Sequence, residues 1–586
     1  MRENMQPAEK EQPTTSMALT QGTEKGSLAS HEQDLEDQSK SLSTAGPPRQ
    51  GRQEQPGSRP VISTLRLNVI VFGLWISLFL AALDSTIIST AVLDISNSFN
   101  STSKSAWIVT SYLLTYNAFV LLIAKLSDIV GLKPLILTSN GIFLVSSVAC
   151  GVARTVEQLI VFRAFQGIGA SGLYCLVFIA IMRLITLEKT GFYPGVISSV
   201  FAISNLLGPI LGGAIVDNTT WRWIFYMNIP PASIASVILA LAIPASNDVK
   251  FDRHTFRRFD FVGSLLSICW LIPLLFALQE GGGSYPWSSG EIVGTLTGGI
   301  AALVIFLAYQ TWLQHRKDSV REPILPIKFV RNPLQGLLLL NVLLTGFSFY
   351  TSIIVLPQRF QAVNDVSASR AGILLLTLTL CFPFFTFVAG AVLSKKPHVA
   401  FHLLNLGTSL ILASTACLSS LSDGRKVSDS QYGFEVLMAA GLGLITTTQY
   451  VVLKITFSGH DMAAATGAMN MLRALGGCIG LAICAAMLAS RLNKDLSSAL
   501  PDSSPDQIQS ARDSLHRGSN GFSPDEIAAV RRLYGQGYDD GFRVMIAFAG
   551  INVIVSGILF LTVRRKGGVG GLIEVAKAEE QRHRPT

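Results

Sequence analysis

Charge is scarce in this sequence: Asp, Glu, Lys and Arg make up 14% of 586 residues, while 49% are apolar. A soluble chain needs about a quarter of its residues charged to cover its surface, so a soluble globular protein is excluded. The seven cysteines (Cys150, Cys175, Cys269, Cys381, Cys417, Cys478 and Cys484) all fall within apolar runs without any C-x-x-C spacing. That pattern speaks against a disulfide framework or a metal site and for packing as small hydrophobes. H-E-x-x-H, G-x-S-x-G and a histidine pair inside an apolar run are also missing, so neither an enzyme nor a cofactor is expected. No cleavable apolar leader opens the chain. Residues 1–64, rich in Gln, Glu, Ser, Pro and Gly, read as a disordered cytosolic tail.

What is present is a series of apolar runs of about 20 residues, the length a helix needs to cross roughly 30 Å of hydrocarbon. The ten-residue alternation of a membrane β-barrel is absent, which leaves an all-α membrane protein. Fourteen spans are expected: 65–91, 105–124, 134–153, 157–183, 192–216, 221–243, 261–279, 291–313, 333–356, 370–393, 399–420, 432–453, 463–489 and 542–563. With an even number both ends share a side, and the basic residues decide which. The formal net charge of +8 is therefore read through topology rather than as a nucleic-acid signal. Lys125, Lys133, Arg183, Lys189, the run from Lys250 to Arg258, the run from Arg316 to Arg331, Lys395, Lys396 and Lys454 all fall in loops on the side of the termini. The opposite short loops are poorer in lysine and arginine, with Arg359 and Arg370 among the few, so both termini are expected in the cytosol. The two sequons, Asn100-Ser-Thr and Asn218-Thr-Thr, fall on the outer side and are candidates for glycosylation. Residues 490–541 form a long outer loop, with proline-started amphipathic stretches at Ser504 and Ser523 expected to be short surface helices.

A repeat runs through the spans. Gly195 and Gly208 in span 5 stand thirteen apart, as do Gly467 and Gly480 in span 13; Gly167-Ile-Gly169 in span 4 is matched by Gly441-Leu-Gly443 in span 12. Spans 1–6 (65–243) then repeat as spans 9–14 (333–563), with spans 7 and 8 an insert within 244–332 and a tail at 564–586.

Charge in hydrocarbon costs a few kcal/mol or more at the helix centre, so charged residues within spans are candidates for function. Three stand out. Asp84 in span 1 and Arg163 in span 4 both lie roughly 10 Å from the outer surface at 1.5 Å per residue, depths that permit an ion pair. Arg473 in span 13 lies near the midplane. Helix pinning competes with function at each; a carboxyl held down by an arginine and pushed up by burial makes a plausible proton switch. Span 5 carries Gly208-Pro209-x-x-Gly212-Gly213, small residues for close helix approach with a proline bend, and Gly476-x-x-x-Gly480 offers the same in span 13. Between spans 2 and 3, Gly131 suits a positive φ, and Asp128 can cap span 3 or face a neighbouring helix end. Tyr112, Tyr116, Gln166, Asn205, Tyr350 and Asn470 are candidates to line a cavity, with ordinary interhelical hydrogen bonding the competing role.

Together these strings resemble the major facilitator superfamily in its fourteen-span drug:proton antiporter branch. Leu83-Asp84-Ser-Thr86 resembles the branch's first-helix signature, Trp107-Ile-Val-Thr-Ser-Tyr112 its second, and Asp128-x-x-Gly131-x-Lys133 the superfamily's loop signature. Arg163-Ala-Phe-Gln166-Gly167-x-Gly169 resembles the fourth-helix signature, and Gly208-Pro209-x-x-Gly212-Gly213 the antiporter signature that marks exporters. Trp221 to Pro230 and Leu472-Arg473-x-Leu-Gly476-Gly477 are similar to the same branch. The loop signature departs in having Ala124, Ile129 and Leu132 where glycine and basic residues are usual. The resemblance implies two six-helix bundles plus two linker helices, most like fungal exporters of toxins and secondary metabolites. It further implies a monomer in the plasma membrane that exchanges protons for a small molecule, with gating at Asp128, Gly131, Lys133, Gly208, Pro209, Gly212, Gly213, Arg473, Gly476 and Gly480. Alternatives in the same superfamily are a vacuolar carrier of basic amino acids and a siderophore–iron exchanger; Asp84 is the only cavity acid found, which counts against both. A transport-dead sensor is the rival of another class.

Overall fold

The computed structural model describes residues 63–574 except 100–104, 186–191, 245–258, 283–284, 317–320, 422–423, 425, 458, 502, 505–506, 509–521 and 566–567. The tails at 1–62 and 575–586, and Asn100, lie outside these residues. Among the described residues, fourteen helices are long and apolar enough to cross a membrane. Spans 1 to 7 are Thr64–Ile88, Trp107–Ile129, Leu132–Val152, Val156–Leu184, Phe192–Val216, Trp223–Ala242 and Phe261–Glu280. Spans 8 to 14 are Gly290–His315, Pro333–Asn364, Arg370–Lys395, Pro397–Leu418, Asp429–Thr456, Met462–Ala499 and Pro524–Arg565. We call the side of Thr64 and Arg565 the near side and the opposite one the far side.

Packing follows the repeat. Span 1 packs on spans 5 and 6, span 4 on spans 2 and 3, and span 3 on span 6; likewise span 9 packs on 13 and 14, span 12 on 10 and 11, and span 11 on 14. The result is two six-helix bundles. They meet through span 5 on span 10 and, equivalently, span 2 on span 13. Spans 7 and 8 pair with each other, span 7 leaning on spans 2 and 13. Burial separates roles: in the most apolar 18-residue stretch of each helix, 83% of span 4 and 89% of span 12 is buried, against 17% of span 8, so span 8 is a peripheral strut while spans 4 and 12 lie in the bundle interiors.

The glycines explain the close crossings. Gly195 sits against Phe387 of span 10 and Gly467 against Ala124 of span 2, while Gly208 abuts Thr86 of span 1 and Gly480 abuts Phe347 of span 9. The spans 5 and 13 glycines are therefore equivalent pairs. The other match needs correction. Gly167 faces span 2 and Gly169 span 3, whereas Gly441 faces span 11 and Gly443 span 10, so by neighbour Gly167 corresponds to Gly443. Residues two apart point to nearly opposite sides of a helix, which lets a G-x-G string match out of register.

The long outer loop shrinks. Span 13 stays helical to Ala499, and the stretch starting at Ser523 is no separate surface helix but the first turn of a 42-residue helix, Pro524–Arg565. Its N-terminus is a reciprocal cap: Ser523 N donates to Glu526 Oε2 (2.7 Å) and Glu526 N to Ser523 Oγ (3.3 Å). The Ser504 stretch is capped alike through Gln507. Ion pairs tie the extensions together on the far side, Arg491 to Asp540 (2.7 Å) and Arg531 to Asp365 (3.5 Å). Arg359, expected in an outer loop, instead lies inside the span 9 helix, 1% exposed and 3.6 Å from Asp539.

Candidate functional site

Asp84 faces the interior of the first bundle and is 1% exposed. It pairs with Arg163 of span 4, itself fully buried. The depths estimated along the two helices thus end in contact. Asp84 Oδ1 also accepts from Gln166 Nε2 (2.9 Å) and Asn228 Nδ2 (3.3 Å). The guanidinium has further support: Nε donates to the Ile108 carbonyl (3.1 Å), Nη1 to Gln166 Oε1 (2.8 Å), and Cζ lies 4.3 Å from the Tyr112 ring centroid. Gln166 is fixed in turn by donating to Ser147 Oγ at 2.9 Å. Five spans thus converge on one ion pair, as low dielectric demands of a buried charge. Tyr112 and Gln166, candidates for a cavity wall, are instead parts of this closed centre. Asn228 and Ser147 were missed as site residues; nothing but their polarity within apolar segments marks them.

Two residues beyond Asp84, Thr86 Oγ1 donates to the Ser204 carbonyl of span 5 at 3.1 Å, one helical turn before Gly208. A methyl on Gly208 would come within 2.7 Å of Thr86 Cβ, whereas Gly213 has open space beside it. Of the span 5 signature, then, Gly208 makes the close approach. Asn218 closes that helix, its Nδ2 donating to the Ala214 carbonyl (2.9 Å). On the near side, Asp128 pairs with Arg183 at the end of span 4. Gly131 takes the start of the span 3 helix with φ 90° and no side chain caps that helix, so the capping role considered for Asp128 is not the one it fills.

In the second bundle the charged centre is built differently. Arg473 Nη2 donates to Gln449 Oε1 (2.8 Å), and Gln449 Nε2 to Asn341 Oδ1 (2.9 Å) and Thr345 Oγ1 (3.1 Å). Asn552 completes the network by accepting from Asn341 Nδ2 at 2.7 Å. Among the described residues no carboxylate lies within ion-pair distance of Arg473. Gly476 packs against the Leu343 backbone of span 9. An acid does lie elsewhere: Glu435 of span 12 is fully buried, accepting from Gln431 Nε2 at 3.1 Å. Asp84 is therefore not the only buried carboxylate. Glu435 falls at the edge of its expected span, where an acid carries little signal.

Between the bundles, Phe201 and Asn205 of span 5 face Phe349, Thr379, Phe382 and Leu442 across a narrow, mostly apolar cleft. Tyr174 stacks beside Phe201 (6.1 Å between ring centroids) and meets Tyr116 at a tilt (4.8 Å), while Tyr350 lies beside Phe349 (5.3 Å). Asn205 thus lines the cleft, Tyr350 adjoins its wall at Phe349, Tyr116 stands further back behind Tyr174, and Asn470 sits toward the near side, accepting from Tyr450 at 3.2 Å. Tyr450 stacks on Phe178 of the other bundle at 5.0 Å.

The model of the Major Facilitator Superfamily matches residues 74–481. The chain belongs to the major facilitator superfamily. Within it, the chain is 38% identical over 495 residues to the MFS-type transporter FPY5 of Fusarium mangiferae, covering 83% of this chain and 82% of that one. It is 30% identical to the efflux pump FUS6 of Gibberella fujikuroi (87% and 91% covered) and 26% to the multidrug transporter protein MdtP of Bacillus subtilis (85% and 91%). The fold matches a bacterial homologue of the human lysosomal transporter Spinster in an inward-facing, unoccupied conformation, with TM-score 0.50 at 16% identity, covering 85% and 97%. The human organic anion transporter MFSD10 matches with TM-score 0.50 at 13% identity, covering 82% and 99%. Likeness at such identity speaks of fold alone. The chain is accordingly a multi-pass major facilitator transporter, with fungal efflux pumps among its relatives.

Proposed function

We propose that this transporter exports a small organic molecule, a toxin, secondary metabolite or drug, across the plasma membrane in exchange for protons, by alternating access, with both termini cytosolic. It acts as a monomer. Asp84 is the proton-binding group. What supports this reading most is the enclosed Asp84–Arg163 pair, because adding a proton to Asp84 removes the one negative charge facing a buried guanidinium. Arg163 is then left to Gln166, the Ile108 carbonyl and the Tyr112 ring face, which share its charge without cancelling it. That state favours opening toward the side where the carboxyl can shed its proton. The shift passes from span 1 to span 5 through Thr86 against Ser204 and Gly208, and span 5 carries Asn205 to the cleft between the bundles.

The gradient is adequate for the work: about 2.3 kcal/mol per charge per 100 mV and about 1.4 kcal/mol per pH unit. The test is export from a pump-deficient yeast expressing the chain. Wild type is expected to lower accumulation of a toxin, with the effect lost on adding an uncoupler. Asp84→Asn, quantified at the cell surface, is expected to abolish gradient-driven export; undiminished export by that variant contradicts the proton role.

A further inference from the structure

Arg473 and its neighbours carry an inference that rests on the export reading and narrows its substrate. Among the described residues, Arg473 Nε is buried without a hydrogen-bond partner, and so is the Nδ2 of Asn470, three residues earlier on the same face of span 13. Both are donors. Beside them, Asn470 Oδ1 accepts from Tyr450, and Arg473 Nη2 donates to Gln449 Oε1. Buried donors left unpaired cost about 1–3 kcal/mol each, more when charged, so the surroundings are incomplete without an acceptor.

The sign of the missing group follows from charge. In the first bundle, Asp84 and Arg163 cancel. In the second, among the described residues, Arg473 donates to an amide oxygen and meets no carboxylate, and Glu435 stands fourteen residues before Gln449 on span 12, about 21 Å along the helix and out of pairing range. The position fits a ligand. Tyr450, whose ring lies 5.6 Å from Arg473 Cζ, meets Phe178 of the other bundle, so the residues sit where the bundles face each other. Tyr350 packs against Gly477, one turn beyond Arg473, and lies beside Phe349 of the apolar cleft.

We propose that Arg473 and Asn470 form an anion-binding subsite and that the exported molecule is an organic acid, an apolar body bearing one oxyanion such as a carboxylate. As the bundles part, the body packs against the phenylalanines of the cleft, and the oxyanion accepts from Arg473 Nε and Asn470 Nδ2. Such charge-assisted bonds are the strong class, and a guanidinium suits a planar oxyanion.

The test uses the full chain in pump-deficient yeast, challenged with growth-inhibitory aromatic carboxylic acids, their neutral primary amides and the matched amines. The expected result is protection against the acids, with Arg473→Gln losing about tenfold in tolerance at equal surface level, equivalent to about 1.4 kcal/mol. Arg473→Lys is expected to retain part of it. Protection against amides or amines but not acids overturns the subsite while leaving export standing, as does acid tolerance unchanged in Arg473→Gln. No protection in any arm contradicts export as well. Should Arg473→Gln fail to reach the surface, the acid-against-amide difference in wild type decides.

Discussion

The two bundles share one packing plan and differ at their polar centres. The first sets an arginine on a carboxylate and surrounds both with amides and a carbonyl; the second sets an arginine on an amide chain running from Gln449 through Asn341 to Asn552. The comparison teaches that the helix arrangement does not require charge neutrality at its core. It constrains glycines, which recur in equivalent contacts on spans 5 and 13. The ion-paired acid is therefore particular to the first bundle, while the buried acid of the second, Glu435, stands away from its arginine.

The sharpest way to break this comparison is to remove each arginine. Arg163→Gln strands Asp84 as an unpaired buried charge and is expected to cost about 3–5 kcal/mol; Arg473→Gln removes one hydrogen bond and is expected to cost about 1 kcal/mol. Thermal unfolding of the purified variants in detergent reads both. Adding Asp84→Asn to Arg163→Gln should restore much of the loss, whereas similar melting temperatures for the two single variants would erase the distinction between the bundles.

Next in size are the span 5 contacts. Gly208→Ala drives a methyl into Thr86 and is expected to cut export severalfold at unchanged surface level, while Gly213→Ala, with open space beside it, leaves export as it is. Equal effects in a transport assay would show that the close approach to span 1 carries no coupling. The smallest expected effect lies outside both centres: Ser523→Ala removes a reciprocal cap and costs about 1 kcal/mol locally. Hydrogen exchange should report it as fraying of the first turns of the last helix, with export unaltered.

Much of this molecule was legible in its sequence because lipid is an unforgiving solvent. Apolar runs gave most spans to within a few residues, though the far ends of spans 9, 13 and 14 run 8, 10 and 18 residues further than expected, and the expense of charge in hydrocarbon singled out Asp84, Arg163 and Arg473. The glycine pairs of spans 5 and 13 gave the bundle correspondence. Uncharged polar residues were harder. Asn228, Ser147 and Gln449 hold the two centres together, yet each looks like any residue making an interhelical hydrogen bond. Residues 490–541 misled for a different reason: hydropathy falls where span 14 rises out of the apolar layer, but the helix does not end there. Its cap at Ser523 was readable, and its continuity with the last span was not, because ion pairs such as Arg491–Asp540 link residues far apart in sequence.

The most direct test of the central claim is proton movement in proteoliposomes holding the purified full chain, with a pH-sensitive dye inside and a transported toxin identified by the yeast screen. Wild type is expected to move protons only when that toxin is present, and Asp84→Asn to lose this flux while still exchanging toxin down its own gradient. Toxin-dependent proton flux persisting undiminished in Asp84→Asn would contradict the account.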